Sequence, residues 1–333
     1  IIEIHNRPES LLYLIKKNVK SKLLFVFHNN PKEMRGSSTV KERLFLAQNS
    51  DQIYFVSKWV KDKFFEGLPY INRNNCEILY PGIKPLSTFP KKQKLIIFCG
   101  KLNSSKGYDI FGTAIIKILD KFKDWKAIAI GNEPREKYSF FHKNYKVLDW
   151  IQHKEILKYY SKAAISVVPS KWLEPFGRTA MESAAHGCAT ITSKNGGLPE
   201  TFVNELFLEK ISSEEIYRLI IKLINNKKLR EKIQKKNFLN VKHKIKSKVK
   251  QLDDFKNYLL SSEFNFNKGP KLKILHISQF DDRNDYRLFN ISISSKLSKG
   301  FIRNGHDVIN FSYRNFLNKN VLKDRNETIN QKV

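Results

Sequence analysis

The chain has 333 residues, 41% of them hydrophobic, and 61 Lys and Arg outweigh 32 Asp and Glu to leave a formal net charge of +29. That length and apolar content suffice for two ordinary domains with cores and exclude a mainly disordered chain. The charge excludes basic partners and favours phosphorylated substrates, polyanions or anionic lipid headgroups, although many lysines in so Lys- and Asn-rich a chain only solvate the surface.

The sequence opens on Ile1-Ile2-Glu3-Ile4, which reads as the middle of a buried strand, and with no initiator Met it reads as a fragment. Short apolar runs then alternate with amphipathic segments. Ile1 to His5, Leu23 to Phe27, Gln52 to Val56 and Cys76 to Tyr80 are strand-like, while Glu9 to Val19 and Val40 to Gln48 carry helical spacing. This is the pattern of a parallel sheet covered by helices.

A boundary is expected near residues 84 to 93, after Pro81-Gly82, and a second series follows. Its strands are Leu95 to Cys99, Lys126 to Ile130, Val147 to Trp150, Ala164 to Val168 and Cys188 to Thr192. Its helices are Tyr108 to Lys121, His153 to Ala163 and Gly177 to His186. Glu214 to Leu260 is helical in pattern and crowded with Lys, and Ser261 to Pro270 behaves as a linker. Lys273 to Ile277, Leu288 to Arg303 and Val308 to Phe311 then read as a fresh strand, helix and strand.

The expected organisation is therefore residues 1–90 as a partial Rossmann-like domain and 91–240 as a second. A basic carboxyl-terminal helix over 241–262, a linker over 263–270, and the start of another βαβ unit over 271–333 complete it. The three cysteines, Cys76, Cys99 and Cys188, are odd in number and each sits beside apolar residues, which predicts reduced thiols and a cytoplasmic compartment. Apolar runs of strand length predict neither a transmembrane helix nor a signal peptide.

The richest stretch is Glu174-Pro175-Phe176-Gly177-Arg178-Thr179 leading to Glu182, where a strand, a turn and a helix start coincide. A helix beginning near Gly177 aims unpaired N–H groups of Gly177, Arg178 and Thr179 and a positive dipole end at an anion. Glu174 before that helix and Glu182 within it could accept hydrogen bonds from sugar hydroxyls on either side of a diphosphate. An isolated pair of glutamates reads more simply as a loop charge and a helix-face charge. The second element, Gly100-Lys101-Leu102-Asn103-Ser104-Ser105-Lys106-Gly107, tips the balance, because two lysines around a glycine turn suit a diphosphate. It lacks the Walker A spacing.

Gly100-Lys101 with Lys106-Gly107, Glu174-Pro175-Phe176-Gly177 with Glu182, Gly187-Cys188, and Gly196-Gly197-Leu198-Pro199-Glu200 together resemble the retaining GT-B glycosyltransferases of family four, or glycosyl transferases group 1. His5-Asn6-Arg7-Pro8 and Phe27-His28-Asn29-Asn30-Pro31 are similar to bacterial members of lipopolysaccharide core or surface-polysaccharide synthesis. The resemblance implies an α/β GT-B fold, two Rossmann-like domains facing across a cleft, with the amino-terminal one incomplete.

It also implies a nucleotide-diphosphate sugar donor held by Gly100, Lys101, Lys106, Trp150, Phe176, Gly177, Arg178, Thr179 and Glu182. The implied roles are Lys101 and Lys106 on the diphosphate, Glu182 on the ribose and Glu174 on the donor sugar, with Glu174, His28 and Lys106 as the catalytic set. The family usually has Arg where Lys101 stands, and Lys loses the bidentate fork. Trp150 and Ile151 either flank the base or close a buried strand, and His28 either approaches the donor or is structural. For Arg43 a helix-surface position is favoured over a place in the cleft, and for Ser57 with Lys58 a helix N-cap.

The activity so implied is retaining glycosyl transfer to a lipid-linked or saccharide acceptor, with no cofactor and no metal. Neither Asp253-Asp254 nor Asp281-Asp282 has an Asp-x-Asp form. The basic surface, Lys227 to Lys250 above all, fits a peripheral enzyme at an anionic cytoplasmic leaflet. A GT-B epimerase or phosphorylase is the alternative, and a non-catalytic polyanion binder a more distant one; no nucleic-acid module is recognisable. Since Lys271 to Tyr313 resembles the opening of such an enzyme, the chain reads as a window cut from a tandem pair rather than as a permuted single enzyme.

Overall fold

In the computed structural model of the chain, the described residues are 2–70, 74–83, 86–202, 206–239, 250, 273–278, 297–302 and 306–312. They fall in two compact units, Ile1–Lys256 and Asn257–Val333.

The first unit contains two parallel sheets. In the first, β1 (Ile2–His5), β2 (Leu23–Phe27), β3 (Gln52–Phe55) and β4 (Cys76–Ile78) lie side by side in sequence order. The helices α1 (Pro8–Lys16), α2 (Val40–Asn49) and α3 (Lys58–Phe65) connect them. β2 and β3 are buried along their whole length, as strands covered on both faces must be, and so read as continuous apolar runs. Phe27 stacks on Phe55 at 5.6 Å between centroids, and Phe64 of α3 sits 5.3 Å from Phe27.

Arg43 departs from the surface position expected of it. It is 2% exposed, and its guanidinium donates to the carbonyls of Phe64 (2.7 Å), Ser37, Ser38 and Glu66 (2.8 Å). It thereby satisfies carbonyls that the end of α3 leaves open and ties α2 to α3, so it is structural rather than part of any cleft.

In the second sheet the strands are β5 (Gln93–Cys99), β6 (Lys126–Ile130), β7 (Tyr145–Leu148), β8 (Ala163–Val168) and β9 (Ala189–Thr192), in the order β7-β6-β5-β8-β9. The chain winds outward through β6 and β7 and then returns to the other side of β5. The order therefore reverses between β5 and β8, which opens a crevice outside the carboxyl ends of those two strands. The helices α4 (Tyr108–Lys121), α5 (His153–Lys162), α6 (Arg178–Ala185) and α7 (Ser213–Asn225) cover this sheet. Phe98, Phe111, Ile115, Val167, Ile191 and Ile220 are among its core. The expected α/β class with two Rossmann-like parallel sheets is what the chain adopts.

Lys92, just before β5, is half-buried, and its ammonium donates to the carbonyls of Tyr160 (2.9 Å), Ser161 (3.1 Å) and His186 (2.5 Å). These carbonyls lie at the carboxyl-terminal ends of α5 and α6, where a cation is favoured by the helix dipoles.

The helical pattern from Glu214 onward is not one helix. α7 stops at Asn226, whose side chain accepts from the N–H of Leu229, and residues 227–239 form a new helix. An Asn that caps the next helix is a sufficient reason for the break. The basic helix expected over 241–262 lies outside the described residues except at 250, and the linker over 263–270, Asp253-Asp254 and Asp281-Asp282 lie outside them entirely.

In the second unit β10 (Lys273–Ser278) pairs in parallel with β11 (Asp307–Ser312), and residues 297–302 between them are helical. No helix among the described residues is long and apolar enough to cross a membrane.

Candidate functional site

The two loops that leave β5 and β8 meet at the strand-order reversal. The first turns through Asn103, whose side chain accepts from the N–H of Lys106 (3.1 Å), and ends at Gly107. Gly107 has φ +73°, and a Cβ there would lie 2.2 Å from the carbonyl oxygen of Pro169, so only glycine allows this approach. Across the contact, the carbonyl of Ser105 accepts from the N–H groups of Lys171 (2.9 Å) and Trp172 (3.0 Å). The lysine-bearing turn and the glutamate-bearing turn are thus one hydrogen-bonded body.

Within it Lys106 and Glu174, read from sequence as contacts to a diphosphate and a sugar, pair with each other at 2.5 Å. The same ammonium lies 4.3 Å from the centroid of the Trp172 ring. A half-buried cation between a carboxylate and an indole face has a fixed location, so charge stands ready at the crevice. Glu174 is in turn held from behind. Its carbonyl accepts from the N–H of Gly197 (2.6 Å), and a Cβ on Gly196, which has φ +64°, would lie 2.1 Å from that oxygen. Lys101 is exposed beside Gly100, and its charge acts on Glu133, whose carboxyl is held down to about 2 chiefly by hydrogen bonds from Arg135.

Gly177 is the N-cap of α6, and the first helical bonds return from Ala180 and Met181 to its carbonyl. The N–H groups of Arg178 and Thr179 therefore stand at the open, positive end of the helix. One turn in, Glu182 is 5% exposed. Its Oε1 accepts from Arg178 Nη2 (3.1 Å) and from His153 Nε2 (3.0 Å). Phe176 is buried and packs on the Tyr80 ring at 5.8 Å, supporting the loop from beneath. Trp150 is half-buried, two residues past β7 and three before the start of α5.

The elements of the first sheet contribute four hydrogen bonds to this region. Ser57, the N-cap of α3, donates to the carbonyl of Pro175 (2.6 Å), while the N–H groups of Lys58 (2.5 Å) and Trp59 (2.8 Å) and the hydroxyl of Tyr80 (3.0 Å) all reach the carboxylate of Glu200. The N-cap role expected of Ser57 holds, and the side chain of Lys58 pairs with Asp62 at the surface. His28 follows β2. Its backbone N–H donates to Asn6 Oδ1 (3.2 Å) and its ring stacks on His5 at 5.2 Å between centroids. Burial, then the charges of His5 and Arg178, lower the His28 imidazole from the usual 6.5 to about 4. His28 and the start of α6, expected from sequence to belong to one site, are thus electrically coupled.

Sequence reasoning missed His153, Trp172, Tyr80 and the Glu3–His5 pair as parts of this region. His153 carried a signal, since a helix that starts at the carboxyl edge of a parallel sheet presents its first residue to the same crevice. His5 carried one too, as part of the His5-Asn6-Arg7-Pro8 motif, while Glu3, Tyr80 and Trp172 carried none beyond their presence at strand ends and in loops.

Residues 83–239 match the family profile of glycosyl transferases group 1. An uncharacterized glycosyltransferase of Methanocaldococcus jannaschii is 30% identical over 205 residues, covering 58% of this chain and 56% of its own. An uncharacterized 42.6 kDa protein in the cps region of Klebsiella pneumoniae is 28% identical over 214 residues, covering 60% and 54%. The chain thus spans about half the length of these curated relatives. Among solved structures, Anabaena HepE in complex with UDP-glucose superposes with a TM-score of 0.60 at 15% identity, over 76% of this chain and 78% of that one. A glycosyltransferase from Rickettsia africae gives 0.58 at 19% identity, over 78% and 77%. At such identities these two superpositions speak for the fold.

Proposed function

Because the chain belongs, through residues 83–239, to the glycosyl transferases group 1 family, we propose that it binds a nucleotide-diphosphate sugar in the crevice between β5 and β8 and transfers the sugar, with retention, to a saccharide or lipid-linked acceptor. The observation that carries this reading is the convergence of Lys106, Glu174 and the open end of α6 on one hydrogen-bonded pair of loops.

In this reading the diphosphate lies against the N–H groups of Arg178 and Thr179, with Lys106 and Lys101 supplying positive charge where the leaving group develops negative charge. Lys106 exchanges Glu174 for phosphate when the donor enters, which releases the carboxylate to accept from hydroxyls of the transferred sugar. The Oε2 of Glu182 accepts from the ribose, and Trp150 flanks the base. His28 approaches the sugar from the other sheet. No metal or cofactor enters the scheme. The enzyme works in the cytoplasm, its lysine-rich surface resting on an anionic membrane leaflet, in lipopolysaccharide or other surface-polysaccharide synthesis.

The test is a thermal-shift panel of UDP-, GDP-, ADP- and CMP-sugars on the full chain and on its Glu182→Ala variant. One nucleotide class is expected to raise the melting temperature, UDP-sugars being the first to try, and the variant to lose that rise. A folded protein that no donor stabilises would overturn the reading. Product analysis with that donor then separates transfer from the epimerase or phosphorylase alternative.

A further inference from the structure

Glu3, His5 and His28 form a connected chain of side chains, of which the proposed function uses only His28. Glu3 and His5 both belong to β1, two residues apart, so they share one face of the strand. Parallel pairing of β1 with β2 sets His5 opposite Val26. That register carries the His5 ring to the residue that follows β2 by one position, His28. Glu3 Oε1 lies 3.0 Å from His5 Nε2, and His5 Nδ1 lies 2.9 Å from His28 Nε2, with the two rings inclined by only 23°.

The donor and acceptor rules allow few proton arrangements along this chain. A carboxylate only accepts, so the proton between Glu3 and His5 resides on His5 Nε2. A neutral imidazole carries one N–H, so His5 Nδ1 then holds a lone pair and must itself accept. The proton in the second bond therefore resides on His28 Nε2, and the lone pair of the His28 ring falls on Nδ1. Burial above all, with the positive charge of Arg178, favours the uncharged form of His28 that this arrangement requires.

We propose that Glu3 and His5 are positioning residues that hold His28 as the neutral Nε2–H tautomer, so that its Nδ1 accepts a hydrogen bond from a sugar hydroxyl. The inference rests on the sugar-transfer reading only for the hydroxyl; the tautomer stands by itself. His28 then serves as an acceptor rather than a cation, which suits a step whose charge stabilisation comes from Lys106 and the start of α6. Among the described residues, the charged and titratable groups that act on the ring include Arg178 from α6 and His5 and Glu3 from β1.

The experiment is nitrogen-15 NMR of the imidazole rings in the full chain, which contains only eight histidines, on the wild type and on His28→Gln for assignment. His28 is expected to give an Nε2–H, Nδ1-lone-pair signature near neutral pH. His5→Asn, which keeps an acceptor close to the position of Nδ1, should preserve that signature, and His5→Phe, which removes it, should give a mixture of tautomers. A wild-type His28 protonated on Nδ1, or a signature unmoved in His5→Phe, would overturn the proposal.

Transfer assays run in parallel with the donor found by thermal shift. His5→Phe should lower kcat by about tenfold to a hundredfold, as misset tautomers and lost outer partners do, with donor KM changed little and activity largely restored in His5→Asn. If the tautomer shifts in His5→Phe while no protein transfers sugar, the relay stands and the sugar-transfer reading fails.

Discussion

The carboxylate of Glu200 accepts the backbone N–H of Trp59 at 2.8 Å, 141 residues earlier in the chain. It thereby caps α3 of the first sheet from a loop of the second, and it also receives the Tyr80 hydroxyl. Glu200→Ala should destabilise the folded chain by about 1–2 kcal/mol, the range of a lost N-cap. Urea unfolding of the two proteins measures it. Equal midpoints would mean that water replaces the carboxylate at no cost.

Lys106 occupies the space between Glu174 and Trp172, and the proposed reaction needs its charge at the leaving diphosphate. Lys106→Ala should reduce kcat by about 10²- to 10³-fold, the usual loss when one charge-stabilising donor is removed. Glu174→Gln should keep donor binding, because the ammonium then has no competing carboxylate, yet impair transfer. Donor affinity by calorimetry and turnover by product analysis separate the two effects.

Gly196→Ala tests the support behind Glu174. The substitution combines a φ of +64° with a Cβ 2.1 Å from the Glu174 carbonyl oxygen, which belongs to backbone and cannot swing away. A loss of about 2–3 kcal/mol is expected, together with loss of the donor-induced thermal shift. A variant that keeps both would show that the loop moves freely.

The lowered His28 imidazole has a sign that can be checked. In the unfolded chain the ring protonates near 6.5, in the folded chain near 4, so between those values the unfolded state binds more protons. Its contribution is full above about pH 6.5 and is lost as pH falls towards 4. His186, also lowered chiefly by burial, adds in the same direction. His28→Gln should flatten, without abolishing, the loss of stability between pH 6.5 and 4 in chemical unfolding; an unchanged profile would contradict it.

The proposed scheme assigns all charge stabilisation to side chains and backbone. Transfer should then proceed undiminished in excess chelator and show no dependence on added magnesium or manganese. A rate that collapses with chelator and returns with one cation would assign that charge to a metal.

Much of the architecture is legible in the sequence because buried parallel strands cannot alternate. Leu23–Phe27 and Ala163–Val168 have no polar face to show, and the polar turns that follow, His28-Asn29-Asn30-Pro31 and Pro169-Ser170-Lys171, mark their carboxyl ends. α3 was legible only at its N-cap, Ser57, because eight residues with three buried side chains, Val60, Phe64 and Phe65, give too little periodicity. Arg43 was misread because a charge signals exposure, and the four carbonyls that accept from it have no letter in the sequence. The motifs pointed to Glu174, Glu182 and Lys106, while His153 lies 29 residues from Glu182 and meets it only through helix placement. His5 meets His28 through strand register, and Glu200 meets Trp59 through the approach of one sheet to the other.

Lys92 has a consequence for Glu182 that its location does not advertise. Two rods joined at one point can scissor about it, whereas two rods joined at two points cannot. α5 and α6 are joined at their carboxyl ends by Lys92 and again by His153, the first residue of α5, and Glu182, midway along α6. From His153 to the carbonyl of Tyr160 the two fasteners lie about two turns, roughly 11 Å, apart along α5. The orientation of the Glu182 side chain is accordingly set by a frame braced at two points, one of whose pins is a single half-buried ammonium just before β5.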